Sequence, residues 1–220
     1  MGTEVTLGAA GRSGRGYLSE PPTRGPGVVV VHDEWGLLPH VRQRCDWLAQ
    51  AGFVALAVDL YDGRTASEPE EAARLAGRLD ILRSRGLLAT AATQLLARPK
   101  VRPQRVGAVG FGLGGRLALL TATTGALDAI VAFYAVLADA ERSLVACPTL
   151  LHLTGGPAEQ DLVTRGFLDD LRSSGTEVTA RTWSGAPPGF ANADRRTYQE
   201  KPTVAAWVET AGFLAGHLRR

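Results

Sequence analysis

The chain has 220 residues, of which 45% are hydrophobic and 21% charged, a balance typical of one globular domain spanning residues 1–220. Its formal net charge of +2 comes from arginines spread along the chain, so neither nucleic acid nor a membrane surface is expected as a partner. No signal-peptide or membrane-spanning apolar run is present, which predicts a soluble cytoplasmic protein.

Cys45 and Cys147 are the only cysteines, and they lie far apart in the sequence. This spacing indicates neither a disulfide framework nor a metal site. We therefore expect no metal and no cofactor, a small molecule as the substrate, and a monomer or a homodimer.

Short apolar runs alternate with helical patterns along the chain. Strands are predicted over residues 28–31, 53–58, 105–109, 129–134, 149–153 and 177–182. Helices are predicted over residues 39–51, 69–96, 114–123, 162–174 and 204–218. The alternation predicts an α/β fold in three layers, with a mostly parallel central sheet and helices on both faces. Ligands bind outside the carboxyl ends of such strands, so the residues that follow each strand are the first candidates for a site.

The glycine-rich turn at residues 110–115 joins a predicted strand to a predicted helix and permits two interpretations. Its GxGxxG spacing resembles a dinucleotide phosphate loop, but that loop belongs in the first βαβ unit and needs an acidic residue after the next strand. The turn also has the frame of a nucleophile elbow, GxSxG, which lifts a nucleophile above the sheet. Gly110 and Gly114 are then the flanking glycines, and Gly112 stands where the nucleophile would be.

Several separate segments resemble the dienelactone hydrolase family. They are VVVVHDEWGL at residues 28–37 with PHVR at 39–42, LAQAGFVALAVDLY at 48–61, the elbow at 109–115 and GAPPGFAN at 185–192. The resemblance implies the α/β-hydrolase fold and hydrolysis of lactones or small esters by a serine or cysteine nucleophile.

The same resemblance shows where this chain departs from the family. The family nucleophile falls on Gly112, its histidine on Pro188 and its aspartate near Ala158. None of these three residues can carry out acyl transfer. Glu159 and Asp161 lie close enough to the third position that either could supply the missing acid.

Two features of the family site are expected to persist. The backbone amides of Trp35 and Leu113 would still form an oxyanion nest. Glu34 matches a family glutamate near the nucleophile, and it is either a general acid or base with a raised pKa or a hydrogen-bonded strut. His32 directly follows a strand and is either a catalytic base or a structural histidine.

The remaining candidates concern substrate binding. Trp35, Tyr61, Gly112, Leu113, Pro188 and Phe190 are predicted to line the pocket, in which the aromatic rings would provide an apolar wall or belong to the core. The family arginine that binds a substrate carboxylate falls in the region of Arg78, which otherwise belongs to a solvated helix face. Of the other polar residues, we expect His40 to be exposed, His152 to lie in the core and Asp59 to be structural, whereas Asp33 either belongs to the site or is equally well solvated.

Three functional hypotheses follow. The first is a noncovalent enzyme of the cyclase, lyase or isomerase type, acting on a small polyene, enol or lactone intermediate of biosynthesis. The second is a catalytically silent binding protein, and the third is a hydrolase of esters or lactones that uses relocated groups such as Glu34. The first is favoured because Glu34, Trp35 and the elbow glycines are all present.

Overall fold

A computed structural model describes residues 1–9, 12–141, 145–155 and 158–220. Its strands are β1 (Thr3–Ala9), β2 (Arg12–Ser19), β3 (Gly25–Val31), β4 (Val54–Asp59), β5 (Val101–Phe111), β6 (Ala129–Phe133), β7 (Thr149–Thr154) and β8 (Val178–Trp183). They form one sheet in the order β1-β2-β4-β3-β5-β6-β7-β8. The β1–β2 and β2–β4 pairs are antiparallel, whereas the other neighbours are parallel.

The helices lie on both faces of this sheet. They are α1 (Pro39–Gln50), α2 (Pro69–Gly77), α3 (Ile81–Leu96), α4 (Leu113–Ala122), α5 (Ala158–Ser173) and α6 (Glu200–Leu218). Apolar residues of α1 and α6 pack on one face, and those of α3, α4 and α5 pack on the other. The expected three-layer α/β architecture is therefore confirmed.

Strand β3 shows why the sheet is covered on both sides. Val28 and Val30 pack with α1 and α6, whereas Val29 and Val31 face the other helices, and all four valines are fully buried. Successive side chains of a strand point to opposite faces, so a continuous apolar run requires cover on both. Burial of each such side chain contributes roughly 1.5–3 kcal/mol.

The structure differs from the predicted elements at several places, including the starts of β5 at Val101 and of α5 at Ala158, each four residues earlier than predicted. The sequence pattern did not reveal the edge strand β1 and its neighbour β2, because polar residues and glycines replace the apolar runs of the central strands there. The predicted helix 69–96 is two helices, because the Asp80 carboxylate caps a new helix by accepting the Arg83 N–H at 3.0 Å. The last helix begins at Glu200 rather than at residue 204. None of the helices in the described ranges is both long and apolar enough to cross a membrane.

Candidate active site

The elbow lies between β5 and α4, at the carboxyl edge of the sheet. Gly112 has φ +47° and ψ −113°, a conformation that residues with a side chain rarely adopt. Its N–H donates to the Phe133 carbonyl at 2.9 Å. A Cβ atom built on Gly112 would lie 3.2 Å from Glu34 Oε2 and 3.8 Å from the Tyr134 ring. The place where an elbow carries its nucleophile is therefore faced by the Glu34 carboxylate.

The flanking glycines are required by close backbone contact. A Cβ on Gly110 would lie 2.4 Å from the Gly114 carbonyl oxygen, and a Cβ on Gly114 would lie 2.4 Å from the carbonyl oxygens of Val31 and His32. Such distances exclude any side chain unless the backbone moves. The packing of α4 against β3 and β5 thus explains these two glycines, as the elbow interpretation predicts.

A cleft of 790 Å³ opens above Gly112, within the range of small-molecule sites. It is bordered by the loops that follow β3, β4 and β6 and by the segment between β8 and α6. The lining residues are Asp33, Glu34, Trp35, Ser67, Glu68, Pro69, Gly112, Tyr134, Pro188, Gly189, Asp194, Arg195, Arg196 and Thr197. Four of the predicted site residues, Glu34, Trp35, Gly112 and Pro188, therefore border one cleft.

The most perturbed carboxyl group of the cleft belongs to Asp33, which is only 2% exposed. Its Oδ1 accepts the Trp35 N–H at 3.1 Å, and its Oδ2 accepts the Asn192 amide at 2.8 Å. Burial, reinforced by the negative charge of Glu34, raises the pKa of Asp33 to about 7. Of the two alternatives for Asp33, the structure excludes the solvated one, because Asn192 reaches the carboxylate from a loop distant in sequence.

The hydrogen bond from the Trp35 N–H to the Asp33 carboxylate changes the expected oxyanion nest. The Trp35 amide was predicted to be available to a substrate oxygen, but it donates to the Asp33 carboxylate. A substrate can use this amide only by displacing Asp33. Leu113 begins α4, and the N–H groups of a first helical turn have no acceptor within the helix.

Glu34 is half-buried at the cleft wall. Within the part of the chain that the structure describes, its carboxylate accepts no hydrogen bond. This arrangement differs from a strut, whose carboxylate would be tied to the loop. The position beside Gly112 makes Glu34 available to a bound molecule.

The positive groups of the cleft come from the segment before α6. The Arg195 guanidinium stacks on the Trp35 ring, with 3.4 Å between Cζ and the ring centroid, and Nη1 donates to the Ser67 carbonyl at 3.0 Å. Arg196 is exposed at the same cleft. Sequence reasoning missed both arginines, although their position after the GAPPGFAN segment was a usable signal.

Tyr134 is a third cleft residue that sequence reasoning missed. It follows β6 with φ +42°, an uncommon value for a residue with a side chain. Its hydroxyl is buried without a hydrogen-bond partner among the described residues. Burial, together with the charges of Asp33 and Glu34, raises the pKa of Tyr134 well above the usual range. The phenol is therefore a neutral hydrogen-bond donor beside two carboxyl groups.

His32 lies beneath the cleft rather than at its wall. Its Nδ1 lies 2.6 Å from the Asp33 carbonyl oxygen, and its Nε2 accepts the Leu60 N–H at 3.0 Å. The ring is fully buried, and burial lowers its pKa. Both ring nitrogens are thus occupied, which favours the structural alternative for His32 over the catalytic base.

Four further predicted residues lie away from the cleft wall. Tyr61 is buried against the His32 ring, with 4.9 Å between the centroids, and Phe190 is fully buried in the core. Leu113 packs against the apolar clusters under α4, and Arg78 is exposed at the end of α2. Tyr61, Phe190 and Leu113 lie inside because they pack against apolar residues, whereas Arg78 lies outside the cleft at the end of α2. The arginines that the cleft does contain are Arg195 and Arg196.

The expectation that His40 is exposed is also wrong, because Asp194 holds it. His40 is 1% exposed, and Asp194 Oδ2 accepts its backbone N–H at 2.8 Å and lies 3.0 Å from its Nδ1. The Asp194 N–H in turn donates to Asn192 Oδ1 at 3.0 Å. This chain of hydrogen bonds fixes the cleft loop to α1 and, through Asn192, to Asp33.

The other expected structural residues are placed as follows. His152 is fully buried, with Nε2 3.1 Å from the Thr210 hydroxyl, and the Asp59 carboxylate accepts the Tyr61 and Gly63 N–H groups at 2.9 and 2.6 Å. Asp161 lies in α5, outside the cleft lining. The side chains of Ala158 and Glu159 lie outside the described residues. Across the described ranges, no group of three or more His, Cys, Asp and Glu residues is arranged to hold a metal.

Known proteins of one family resemble this chain over nearly its whole length. The sequence model of the dienelactone hydrolase family matches residues 15–218. The chain is 30% identical to protein usf of Aquifex pyrophilus, over 99% of this chain and 100% of that protein. It is 28% identical to carboxymethylenebutenolidase 1 of Cupriavidus pinatubonensis, over 97% and 96% of the two chains. The dienelactone hydrolase structure from Anabaena variabilis superimposes with a TM-score of 0.72 at 23% identity, over 100% and 99% of the two chains, which confirms the α/β-hydrolase fold.

Proposed function

We propose that this chain, which belongs to the dienelactone hydrolase family, converts a small polyene, enol or lactone intermediate by noncovalent proton transfer, as a cyclase, lyase or isomerase. The observation that carries the proposal is at the elbow. Gly112 has no side chain to attack a carbonyl, and the Glu34 carboxylate faces the place where that side chain would stand. Pro188, at the position matching the family histidine, lines the same cleft without an imidazole.

The cleft supplies a base, an acid and a neutral donor. The Glu34 carboxylate would remove a proton from a carbon next to a carbonyl group, and the electron pair would move onto the carbonyl oxygen as an enolate. The Tyr134 hydroxyl, unpartnered beside the carboxyl groups, would donate a hydrogen bond to that oxygen. Asp33, with a pKa of about 7, is well suited to return a proton at another carbon. This sequence moves a double bond without forming an acyl-enzyme.

The positive wall of the cleft indicates the substrate class. Arg195 and Arg196 both border it, and the Arg195 guanidinium lies flat on Trp35. Guanidinium groups bind carboxylates through paired hydrogen bonds, so these two arginines suit a polyene, enol or lactone that also carries a carboxylate. We therefore propose a conjugated substrate that carries a carboxylate.

Deuterium exchange tests the proton transfer. An enolisable butenolide carboxylate is incubated with the protein in D₂O, and deuterium incorporation is followed by NMR. Glu34→Gln should reduce the exchange rate by roughly 10²–10⁴-fold, the usual contribution of a general base. Glu70→Gln, which removes an exposed carboxylate on α2, is the matched control and should exchange like the wild type. Equal exchange by wild type and Glu34→Gln would remove Glu34 from the mechanism.

Hydrolysis through a water molecule activated by Glu34 is the second candidate, and the name of the relative carboxymethylenebutenolidase 1 favours it. Ring opening of the same butenolide in H₂¹⁸O would place the label in the new carboxylate. Labelling by a fluorophosphonate or iodoacetamide would instead reveal a covalent nucleophile and contradict both candidates. Ligand binding with neither exchange nor ring opening would favour a catalytically silent binding protein.

A further inference from the structure

A second group of polar side chains lies behind the cleft, around the ring of Phe111. The centroids of the His40, Tyr134 and Trp207 rings lie 5.9, 6.4 and 6.1 Å from that of Phe111. Each of the three rings has one buried polar atom without a partner among the described residues: His40 Nε2, the Tyr134 hydroxyl and Trp207 Nε1. Buried polar atoms are nearly always hydrogen-bonded, so three such atoms around one ring point to a missing partner.

Arg44 brings a positive charge to the same place. It lies on α1, half-buried, with its Cζ 4.8 Å from the centroid of the Trp207 ring. No described residue accepts a hydrogen bond from its guanidinium or forms an ion pair with it. Its charge opposes the burial that raises the pKa of Tyr134 and adds to the burial that lowers the pKa of His40. The guanidinium thus lies near the unpartnered atoms and has no counterion there.

The available atoms are mostly donors. The Arg44 guanidinium, the Trp207 indole and the Tyr134 hydroxyl all offer hydrogens. His40 binds the Asp194 carboxylate through Nδ1, so Nδ1 carries the proton and Nε2 is an acceptor. A water molecule could satisfy these bonds, but it would leave the half-buried charge without a counterion. A small oxyanion supplies both the acceptor oxygens and the negative charge.

We propose that Arg44, Tyr134 and Trp207 form a binding site for a carboxylate in the seam between α1 and α6. The carboxylate would accept hydrogen bonds from the guanidinium, the indole and the phenol. It would enter past Arg44 and Tyr198, both of which are half-buried and therefore reachable from solvent. The site shares the Tyr134 hydroxyl with the cleft of Arg195, but Arg44 and Trp207 lie outside that cleft lining, and the test below measures binding alone and does not depend on the proposed reaction.

Acetate is the probe, and the indole N–H signal of Trp207 is the readout. The signal is assigned with Trp207→Phe, and acetate replaces chloride at constant ionic strength. We expect a saturable shift of this signal, with affinity weakened by about tenfold or more in Arg44→Met, a loss on the order of 1.4 kcal/mol. Arg42→Met removes a neighbouring arginine of α1 that pairs with Glu4, and it should bind acetate like the wild type.

The outcomes separate the alternatives. An unmoved indole signal would show that only water occupies the seam, and an equal response in Arg44→Met would show that the shift arises elsewhere; either result overturns the proposal. Thermal melting of Arg44→Met and Arg44→Lys establishes that both are folded, and Arg44→Lys should retain part of the response because it keeps the charge. Benzoate identifies the source of the carboxylate. A response to acetate alone indicates a free small anion, whereas a response to both indicates the carboxylate arm of a larger molecule.

Discussion

Replacing Gly112 by alanine tests the geometry on which the proposed function depends. The backbone at φ +47° and ψ −113° is outside the regions favoured by residues with a side chain, and holding alanine there costs roughly 1–3 kcal/mol. The new Cβ would lie 3.2 Å from Glu34 Oε2, the mobile end of a flexible side chain, so the crowding itself adds little. We therefore expect the free energy of unfolding to fall by about 1–3 kcal/mol and the Glu34 carboxylate to be displaced.

Urea unfolding measures this change, and Gly125→Ala is the control. Gly125 also has a positive φ, +71°, but a Cβ there would meet no atom within 4 Å. Both variants should lose stability, whereas only Gly112→Ala should lose deuterium exchange, because only that Cβ pushes on Glu34. An unfolding free energy of Gly112→Ala equal to that of the wild type would refute the strained elbow. Normal exchange in Gly112→Ala would refute the placement of Glu34 beside it.

Other predictions concern single carboxylates. Asp33 has its pKa raised from 3.8 to about 7, so the folded state binds more protons than the unfolded state between these values, and stability should fall as pH rises through that window. Asp33→Asn should remove this dependence of stability on pH, which is measured by thermal melts at successive pH values. An unchanged dependence would contradict the burial of a protonated carboxyl group. Asp80→Ala removes the N-cap of α3 and should cost about 0.5–2 kcal/mol in urea unfolding, while a neutral result would show that the Arg83 N–H bond contributes nothing.

The central fold was predictable because its signals are local. The four valines of β3 alternate between two helical layers, and this alternation is visible as an apolar run in the sequence. The elbow was predictable for a similar reason, since the spacing of Gly110 and Gly114 around position 112 is visible in the sequence, although the contact that requires Gly114 is with the distant residues Val31 and His32. The edge strand β1 and its neighbour β2 were not, because their polar residues and glycines leave no continuous apolar run.

The cleft was less predictable, because its walls meet through long-range contacts. Asn192 bonds Asp33 across 159 positions of sequence, and the resulting burial decides which carboxyl group has the raised pKa. Arg195 reaches Ser67 across 128 positions, a contact that its position after the GAPPGFAN segment does not reveal. Tyr134 directly follows a strand and could have been noticed, but its unpartnered hydroxyl becomes evident only from the three-dimensional packing.

The hydrogen bond between the Trp35 amide and the Asp33 carboxylate links ligand binding to protonation. A ligand oxygen that takes over this amide deprives the Asp33 anion of one of its stabilising donors, and the proton affinity of that carboxyl group rises further. By thermodynamic reciprocity, the complex then gains protons from the buffer as it forms, and lowering the pH from the alkaline side towards about 7, the pKa of Asp33 in the free protein, tightens it. Proton uptake on ligand binding would therefore show whether the ligand has taken the Trp35 amide from the Asp33 carboxylate.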